Sequence, residues 1–568
     1  MKVRKHLAPL WGLGAVLALT ACGSSSGGSG GLDITSVQLT VSPNTVLAYS
    51  LDVKTNEAAT LSVTVTPKDT SVQPWTVTGS SQASKDNQVV IAGMRAQSEY
   101  DLTITASAGS ENATDNSHSI TTDALPSDLP PITVKTHDST KMAPGFTYFG
   151  IITWLPSGAP ADQGWLVMLD NAGKVVWYFQ TPSYPGGGWG GGPQDVRLLP
   201  DGNIGYGHEG SIDGYSEVDV LGNQVNSWVA TGLPSEKAPA GTIPVAIESM
   251  HHAVYPLPNG DFLTLTSELK NPGSQNCAST TQNFVGDDAV EFQPDGTIVK
   301  KVSEFDILDP CRQRTAAQLK LDYATGYWNA YYGGISTQDW THSNTVFYDE
   351  ARGLAIVSVR HQDVIIGIDW KPGDAAASGK VAWLFGDEEN AGDFSKYPHF
   401  TSTGTPFGWT YHQHGVVVFD NGDLAAFDNG NLRPGTNEND PNNLPYSRVV
   451  EYSLDTNAMT TKQVWDYKAP DPYRPGGFMY CPFFGLIQKL SNGDMLATFG
   501  GGVEPPTDAI KGQGVEKFAR ITEIADPQSS NTVVFDVLVQ KDPSSNVTGY
   551  SVYRARRISG FLRETTGG

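Results

Sequence analysis

The stretch HGVVVFDNG, residues 414–422, decides the fold because the chain repeats it. Each copy is an apolar strand that runs into a tight turn. The other copies are FGIITWLPSG (149–158), QDVRLLPDG (194–202), HAVYPLPNG (252–260), HSNTVFYDE (342–350) and FGLIQKLSNG (484–493). A strand pair around a second turn follows every copy, as in AVEFQPDGTIVKKV (289–302). Six units of four strands predict an all-β, six-bladed β-propeller over residues 141–568, with a sandwich or barrel as the alternative. A last strand, GYSVYRARRI (549–558), is expected to join the first blade and close the ring.

A separate small domain precedes the propeller. Residues 33–125 alternate polar and apolar side chains through short segments with frequent turns, which predicts a β-sandwich. Within it, VIAGMRAQSEYDLTITAS (90–107) resembles the tyrosine-bearing strand of fibronectin type III or Ig-like domains. The proline-containing stretch over 126–140 is interpreted as a linker.

The first residues are typical of export. Three basic residues among the first five precede the apolar run LAPLWGLGAVLALTA (7–21), which is short for a membrane span. The run ends in LTAC, which resembles a lipoprotein box. We therefore expect a signal peptide over 1–21, lipidation of Cys22, a Gly/Ser tether over 22–32 and a periplasmic protein held by its lipid. Gly23, where an aspartate would retain a lipoprotein in the inner membrane, favours the outer membrane. An ordinary secretory signal is the alternative.

Three further cysteines are available. Cys277 and Cys311 are the expected disulfide in an oxidising compartment, although the sequence leaves pairings with Cys481 open. No CxxC pair indicates a zinc site. The formal net charge of −23 argues against a nucleic-acid partner, because phosphate binding requires basic patches.

The repeat also aligns candidate functional residues. Seven positions before the turn residue, the six copies hold Gly150, Gln194, His252, His342, His414 and Gly485. Three of six equivalent positions are histidine in a chain with only 11 histidines. Innermost strands line the channel of a propeller, so one register encircles one mouth of that channel. The pattern predicts that His252, His342 and His414 converge there.

Other polar and aromatic residues accompany these histidines. Asn344 shares a strand face with His342, and Arg360 lies on the next strand. Amide, imidazole and guanidinium donors suit a tetrahedral oxyanion, with a structural ion pair as the alternative for the arginine. Trp409 and Tyr411 are expected either to form an apolar slot for an aryl group or to fill a blade interface.

Several ordered motifs carry a family resemblance. DWTHSNTVFYD (339–349), SVRHQD (358–363), YHQHGVVVFDNGDLAAFDNGN (411–431), LSNGDMLATFGG (490–501) and HHAVYPLPNG (251–260) resemble bacterial arylsulfotransferases that work without the PAPS cofactor. The resemblance implies a six-bladed propeller that moves a sulfuryl group from an aryl sulfate donor to a phenolic acceptor. It implies a ping-pong reaction through a sulfohistidine, with no cofactor and no metal.

The same resemblance assigns roles to residues. It implies His414 as the nucleophile, with His412 as its competitor. It implies sulfuryl binding by His342, Asn344, Arg360 and Thr498, and a further site histidine at His252, with His251 as the other candidate. Because a departing phenolate needs a proton, that histidine is the candidate acid and base. His361 is expected to be structural.

Two other functions remain open at this point. Three histidines could hold zinc with one open position, as in a metal-dependent hydrolase of sulfate or phosphate esters. A lipid-tethered binding propeller without catalysis is the second alternative. The sequence does not fix the oligomeric state, for which a homodimer is a candidate.

Overall fold

The structure is a computed structural model. It describes residues 31–156, 164–182, 192–209, 213–233, 237–271, 283–310, 325–376, 379–387, 394–437, 440, 442–504 and 516–561. The chain divides into two compact units. The first ends at Ser127 and includes Val220–Asn223, and the second is formed by Asp128–Asp219 and the chain from Gln224 onward. Cys22, Cys277 and Cys311 lie outside the described residues, so lipidation and the disulfide stay predictions.

The first unit is the predicted β-sandwich. Its strands are β1 (Ile34–Val41), β2 (Tyr49–Pro67), β3 (Trp75–Thr78), β4 (Ser84–Ile91), β5 (Glu99–Ala108) and β6 (Glu111–Thr121). The long strand β2 belongs to both layers, because its first part pairs with β1 and β4 and its second part with β3 and β5. Alternate residues of β5, including Tyr100, Leu102 and Ile104, are buried, as a strand with one face on a core requires.

The second unit is built almost entirely of strands. They are β7 (Ile132–His137), β8 (Phe146–Trp154), β9 (Gly164–Leu169), β10 (Val175–Gln180), β11 (Gln194–Leu198), β12 (Ile204–His208), β13 (Gly214–Val218), β14 (Gln224–Ala230), β15 (Ile243–Val245), β16 (His251–Pro256), β17 (Phe262–Lys270), β18 (Asn283–Phe292), β19 (Ile298–Ser303), β20 (Thr337–Asp339), β21 (Ser343–Asp349), β22 (Leu354–Val359), β23 (Val364–Asp369), β24 (Val381–Gly386), β25 (Thr401–Ser402), β26 (His414–Val418), β27 (Leu424–Asp428), β28 (Arg448–Asp455), β29 (Thr460–Tyr467), β30 (Leu486–Lys489), β31 (Met495–Glu504), β32 (Glu516–Ala525), β33 (Thr532–Val539) and β34 (Gly549–Ile558). In the described part of this unit, a short α-helix, α1 (Thr325–Tyr331), precedes β20. Among the described residues, no helix has the length and apolar character needed to cross a membrane.

These strands form the six blades of the predicted propeller. The sheets β11–β15, β16–β20, β21–β24 and β25–β29 are the second to fifth blades. A nine-stranded sheet joins the first blade, β8–β10, to the sixth, β30–β33. The innermost strands β11, β16, β21, β26, β30 and β34 contact one another in sequence, and β34 also contacts β11. This closed cycle of inner strands encircles the channel.

The C-terminal strand β34 closes the ring, as predicted. It pairs antiparallel with β8 of the first blade. Buried ion pairs join it to the second blade, where Asp195 Oδ1 lies 2.7 Å from an Arg554 nitrogen and 2.6 Å from an Arg556 nitrogen. The last strand therefore links the first, second and sixth blades.

Two details of the sequence interpretation were wrong. The predicted linker, 126–140, contains β7, which pairs with β33 on the outer edge of the sixth blade. Gly150 is not on an innermost strand, because β8 is the second strand of its blade. The first blade takes its inner strand from the end of the chain, and a bulge at Tyr553 and Arg554 lies opposite Gly150.

Candidate active site

The inner strands depart from regular pairing at the level where His252, His342 and His414 are predicted to converge. The pairing is irregular just after His251 in β16, just after His414 in β26 and just after Val552 in β34. His252 and His342 have φ values of +63° and +49°, in the left-handed region that residues other than glycine seldom adopt. Bulges redirect side chains, and local backbone strain of this kind clusters at functional sites.

His414 opens β26 and is buried, and its ring orientation is fixed by Asn429. The Nδ1 atom of His414 lies 2.8 Å from Asn429 Oδ1. Asn429 Nδ2 donates to the carbonyl oxygens of Cys481 and Phe484 at 2.7 and 3.0 Å, so the orientation of its amide is determined. Asn429 Oδ1 therefore accepts the hydrogen on His414 Nδ1, and the neutral ring carries its lone pair on Nε2.

The surroundings of His414 keep its ring neutral. Burial, and next the positive charge of Arg360, hold the pKa of His414 well below its usual range. The side chain of His414 is consequently an unprotonated imidazole at neutral pH. A neutral imidazole nitrogen is a competent nucleophile.

Arg360 is a buried guanidinium held by two partners. Its NH2 nitrogen donates to the Pro482 carbonyl oxygen at 3.1 Å, and its NH1 nitrogen contacts His361 Nε2. His361 Nδ1 donates to the Asp339 carbonyl oxygen at 3.0 Å, and burial holds the pKa of His361 well below its usual range. His361 is thus a neutral hydrogen-bond acceptor that positions the guanidinium of Arg360. This arrangement fits the structural role expected for His361 from the sequence.

His342 connects the candidate sulfuryl binders. Its Nδ1 lies 2.6 Å from Asp339 Oδ2, and its ring stacks on His361 with 4.6 Å between centroids. The centroid of the His252 ring is 5.1 Å away. About a fifth of the His342 side chain, 19%, is exposed, which makes it more accessible than the buried His414.

His251 and His252, the HH pair, both contribute their rings to the site. The Nδ1 atoms of His251 and His252 are 2.8 Å apart. The backbone N–H of His252 donates to Gln194 Oε1 and to Glu209 Oε1, at 3.1 and 3.3 Å. Burial, followed by the charge of His251, holds the pKa of His252 well below its usual range. The two rings thus form one unit, and which of them acts on a substrate stays a prediction.

The closing strand supplies two residues that the repeat register missed. The Tyr553 ring lies 6.1 Å from the His252 ring, and Arg554 contributes to the lowered pKa values of His252 and His414. Tyr553 Oη and Arg554 NH2 both donate to the Asn344 carbonyl oxygen, at 3.1 and 2.8 Å. The signal in the sequence is the predicted closing strand itself, which lies outside the six aligned copies of the repeat.

An aromatic cluster lies between His414 and His252. Phe484 is edge-on to His414 with 6.5 Å between ring centroids, and it also contacts Tyr553 at 4.8 Å and Phe483 at 4.9 Å. Because both ends of this cluster touch candidate catalytic rings, it can form one wall of a site for an aryl group. Its phenylalanines, Phe483 and Phe484, precede β30, and no pattern in the sequence distinguishes them from the other aromatic residues.

Asn344 and Thr498 lie behind the histidines. The buried Asn344 donates from Nδ2 to the carbonyl oxygen of Gln413 at 2.8 Å, directly before His414. Thr498, on β31, accepts a hydrogen bond from the Ala555 N–H at 3.0 Å. Both side chains therefore hold the strands that carry the site. Their direct binding of a sulfuryl group stays a prediction.

Trp409 and Tyr411, the residues expected to form an apolar slot, lie in surroundings unlike those of the histidines. The Trp409 ring packs against Phe385 and Phe407, at 5.1 and 4.7 Å, in the core cluster shared by the fourth and fifth blades. Tyr411 lies beneath the guanidinium of Arg433, 5.5 Å from the ring centre. Trp409 therefore packs at a blade interface, which was the alternative to an aryl-binding slot.

Two groups of side chains have the composition of metal ligands. Among the described residues they are Glu209 with His251 and His252, and Asp339 with His342 and His361. In the first group, the 2.8 Å approach of two Nδ1 atoms requires a hydrogen between them. In the second, both nitrogens of His361 already have protein partners. Neither donor set fits a metal well in this arrangement.

Comparison with known proteins places these residues in a family. The family model described as "Arylsulfotransferase (ASST)" matches residues 132–551, and the "Arylsulfotransferase Ig-like domain" matches residues 36–124. An arylsulfate sulfotransferase, AssT, from Escherichia coli O6:H1 is 26% identical over 336 residues, covering 54% of this chain and 53% of that protein. AssT from Lelliottia amnigena is 26% identical over 283 residues, covering 45% and 46%. The aligned region is thus about half the length of each of these curated relatives.

A solved structure of a protein of unknown function from Bacteroides caccae is 13% identical, with a TM-score of 0.35 and coverage of 72% of this chain and 98% of that one. The family match spans most of the chain, including His252, His342 and His414, and ends at residue 551 within β34. The chain belongs to the arylsulfotransferase family.

Proposed function

We propose that this protein transfers a sulfuryl group from an aryl sulfate to a phenolic acceptor through a sulfohistidine at His414. One observation carries the proposal. The hydrogen bond from His414 Nδ1 to Asn429 leaves the lone pair on Nε2 of a buried neutral ring, next to the fixed guanidinium of Arg360. This is a nucleophile placed beside an oxyanion binder.

In the first half-reaction, His414 Nε2 attacks the sulfur of the donor. The N–S bond forms, the bond from sulfur to the aryl oxygen breaks, and that oxygen keeps the electron pair. Arg360 donates to the sulfuryl oxygens as charge shifts onto them, and His342, held in place by Asp339, lies beside the same group. His252 Nε2 gives a hydrogen to the leaving oxygen, because a phenolate has a conjugate acid of pKa about 10 and leaves poorly without one.

In the second half-reaction, a phenol takes the place of the released product. His252 accepts the phenolic hydrogen, the phenol oxygen attacks sulfur, and the N–S bond breaks to restore His414. The aryl rings of donor and acceptor lie in turn against Phe484 and Tyr553, which adjoin both His414 and His252.

Mass spectrometry tests this function. The protein is incubated briefly with 4-nitrophenyl sulfate without acceptor, quenched in alkali and digested. We expect one added SO3 on the peptide holding His414, its loss on adding phenol, and no adduct in His414→Asn. Release of nitrophenol without an adduct, and only with added metal, would instead support the hydrolase alternative.

We further propose that the protein is exported to the periplasm, cleaved before Cys22 and held in the outer membrane by lipid on that residue. The basic and apolar segment that ends in LTAC supports this proposal. A disulfide between Cys277 and Cys311 belongs to the same proposal, since exported chains fold under oxidising conditions. Mass determination of the mature N-terminal peptide and of non-reduced digests tests both.

A further inference from the structure

The HH pair has a second ionisable partner on the side away from the proposed substrate. His251 Nε2 lies 3.1 Å from Asp287 Oδ1, and both side chains are buried. Asp287 Oδ2 accepts hydrogen bonds from the Thr341 hydroxyl at 2.7 Å and from the Ser343 backbone N–H at 2.6 Å. The carboxylate is therefore fixed in place, with its other oxygen directed at His251.

The three side chains form a row. The two Nδ1 atoms, 2.8 Å apart, require a hydrogen between them, and His251 Nε2 lies at ion-pair distance from Asp287 Oδ1, 3.1 Å, without the alignment of a hydrogen bond. If His251 is an imidazolium paired with Asp287, it provides the hydrogen between the two rings, and His252 accepts at Nδ1. A neutral His252 then has its own hydrogen on Nε2.

The charges around the pair agree with this assignment. Burial alone would lower the pKa of His251, but the carboxylates of Asp287, Glu209 and Asp213 outweigh it and raise that pKa above its usual value. The neighbouring His252 has the opposite shift, because burial and then the charge of His251 lower its pKa. Of the two rings, His251 is therefore the one that holds a proton more readily.

We propose that His251 is a proton-supplying residue, which reloads His252 through the Nδ1–Nδ1 contact while Asp287 holds it in place. The inference rests on the proposed sulfuryl transfer and assigns a role to a residue that does not touch the substrate. As the aryl oxygen leaves with its electron pair, it takes the hydrogen from His252 Nε2. His252 Nδ1 takes the hydrogen from His251 Nδ1, and His251 becomes neutral with its remaining hydrogen facing Asp287.

In the second half-reaction the movement reverses. The phenol gives its hydrogen to His252 Nε2, and the hydrogen on His252 Nδ1 returns to His251. The row ends in its starting state, so each cycle is balanced without a proton from solvent. No step requires His252 to become an imidazolate or to carry a net positive charge beside Arg554.

Donors with different leaving groups test the relay. Phenyl sulfate requires a proton on its leaving oxygen, whereas 4-nitrophenolate delocalises its charge into the nitro group and leaves without one. We expect His251→Gln to slow adduct formation from phenyl sulfate by about 10²-fold, in the range of general acid catalysis, and to change the rate with 4-nitrophenyl sulfate little. His399→Gln, which removes an imidazole elsewhere in the propeller, should leave both rates at the wild-type level.

Asp287→Asn is the second variant. Its amide keeps the acceptor for Thr341 and Ser343 but leaves His251 neutral, so the same selective loss with phenyl sulfate is expected. In the wild type, the phenyl sulfate rate should fall as pH rises through the raised pKa of His251, and the 4-nitrophenyl sulfate rate should not show this decline. Asp287→Asn should move the decline to lower pH.

Two outcomes would overturn the relay in different ways. Equal slowing of both donors in His251→Gln and Asp287→Asn, with the His414 adduct still formed, would mean that His251 only supports the site. Absence of any adduct in the wild type would remove the proposed function and the relay with it. Retained reaction with 4-nitrophenyl sulfate in each variant also shows that the variant has folded.

Discussion

Asn429 Oδ1 accepts the Nδ1 hydrogen of His414 at 2.8 Å, across the pairing of β26 with β27. Because Asn429 is itself held by two backbone carbonyl groups, this one contact determines which imidazole nitrogen is free to react. The tautomer of the proposed nucleophile is therefore fixed by the fold before any substrate binds.

Replacing Asn429 by Leu should remove that control. The leucine keeps the approximate volume but accepts no hydrogen bond, so both tautomers and other ring orientations become accessible. We expect adduct formation at His414 to slow by about 10²-fold or more, as when other catalytic imidazoles lose their orienting partner. Single-turnover kinetics with 4-nitrophenyl sulfate measure this, and a rate within threefold of wild type would contradict it.

Replacing Arg360 by Lys should cost nearly as much as replacing it by Ala. The planar guanidinium reaches the Pro482 carbonyl and His361 together, which a single ammonium group cannot reproduce. We expect a fall in kcat/KM of about 10²- to 10³-fold for either change. Arg352→Lys is the matched control, since Arg352 pairs only locally with Asp349 and is partly exposed. Near-normal turnover in Arg360→Ala would remove the residue from the site.

The pH dependence of adduct formation should follow His414. Its pKa is lowered, so the reactive neutral ring is present at and above the usual histidine pKa of about 6.5 and is lost only as pH falls further. With 4-nitrophenyl sulfate, the rate should therefore be level near neutrality and decline in acid. Arg360→Ala removes a positive charge that lowers this pKa, so its acid decline should start at higher pH. An acid decline that Arg360→Ala leaves in place would contradict the assignment.

Aryl binding should depend on Phe484 and not on the aromatics of the blade interface. Phe484→Leu removes ring area beside His414, and we expect KM for the donor to rise several-fold with a smaller change in kcat. Phe407→Leu is the control, because that ring packs against Trp409 and Tyr452. The opposite pattern would favour the slot around Trp409 that the sequence suggested.

Ring closure should depend on Asp195. Burial alone would raise its pKa, but Arg197, Arg554 and Arg556 overcome that effect and hold the pKa below its usual range. The resulting stability is present above the unfolded pKa of about 3.9 and is lost as pH falls through the lower folded value. Asp195→Asn should lower the free energy of unfolding at pH 7 by about 3–5 kcal/mol, because it leaves buried guanidinium groups unpaired. Urea unfolding measures this, with Asp138→Asn, at a partly exposed position, expected to have little effect.

The sequence was sufficient for the propeller and for the convergence of its histidines, because both follow from a repeat that recurs along the chain. His252 and His342 are in ring contact, and His342 affects the pKa of His414, as one register around a channel requires. The missed residues are those that meet an imidazole only once the backbone has folded, Asn429 from the end of the neighbouring strand and Asp339 from three residues before His342. Asn429 and Asp339 are ordinary polar residues until the fold brings them to an imidazole, and no repeat marks them.

The aromatic residues show the same limit. An aromatic side chain just before an inner strand can point into the channel or into the space between blades. The amino-acid composition does not distinguish these two positions. Trp409 packs between blades and Phe484 contacts His414, a difference set by the φ of +63° at Phe484 and by the neighbouring Tyr553.

The strand that closes the ring has a consequence for biosynthesis. Tyr553 and Arg554 are among the last residues of the described chain to be made, yet they lie against a histidine and an asparagine translated hundreds of codons earlier. A nascent chain can form five blades before β34 is made, but it then lacks the strand that closes the ring and the residues that this strand contributes to the site. Loss of β34 would therefore remove the inner strand of the first blade and, with it, the residues that lie against His252 and Asn344.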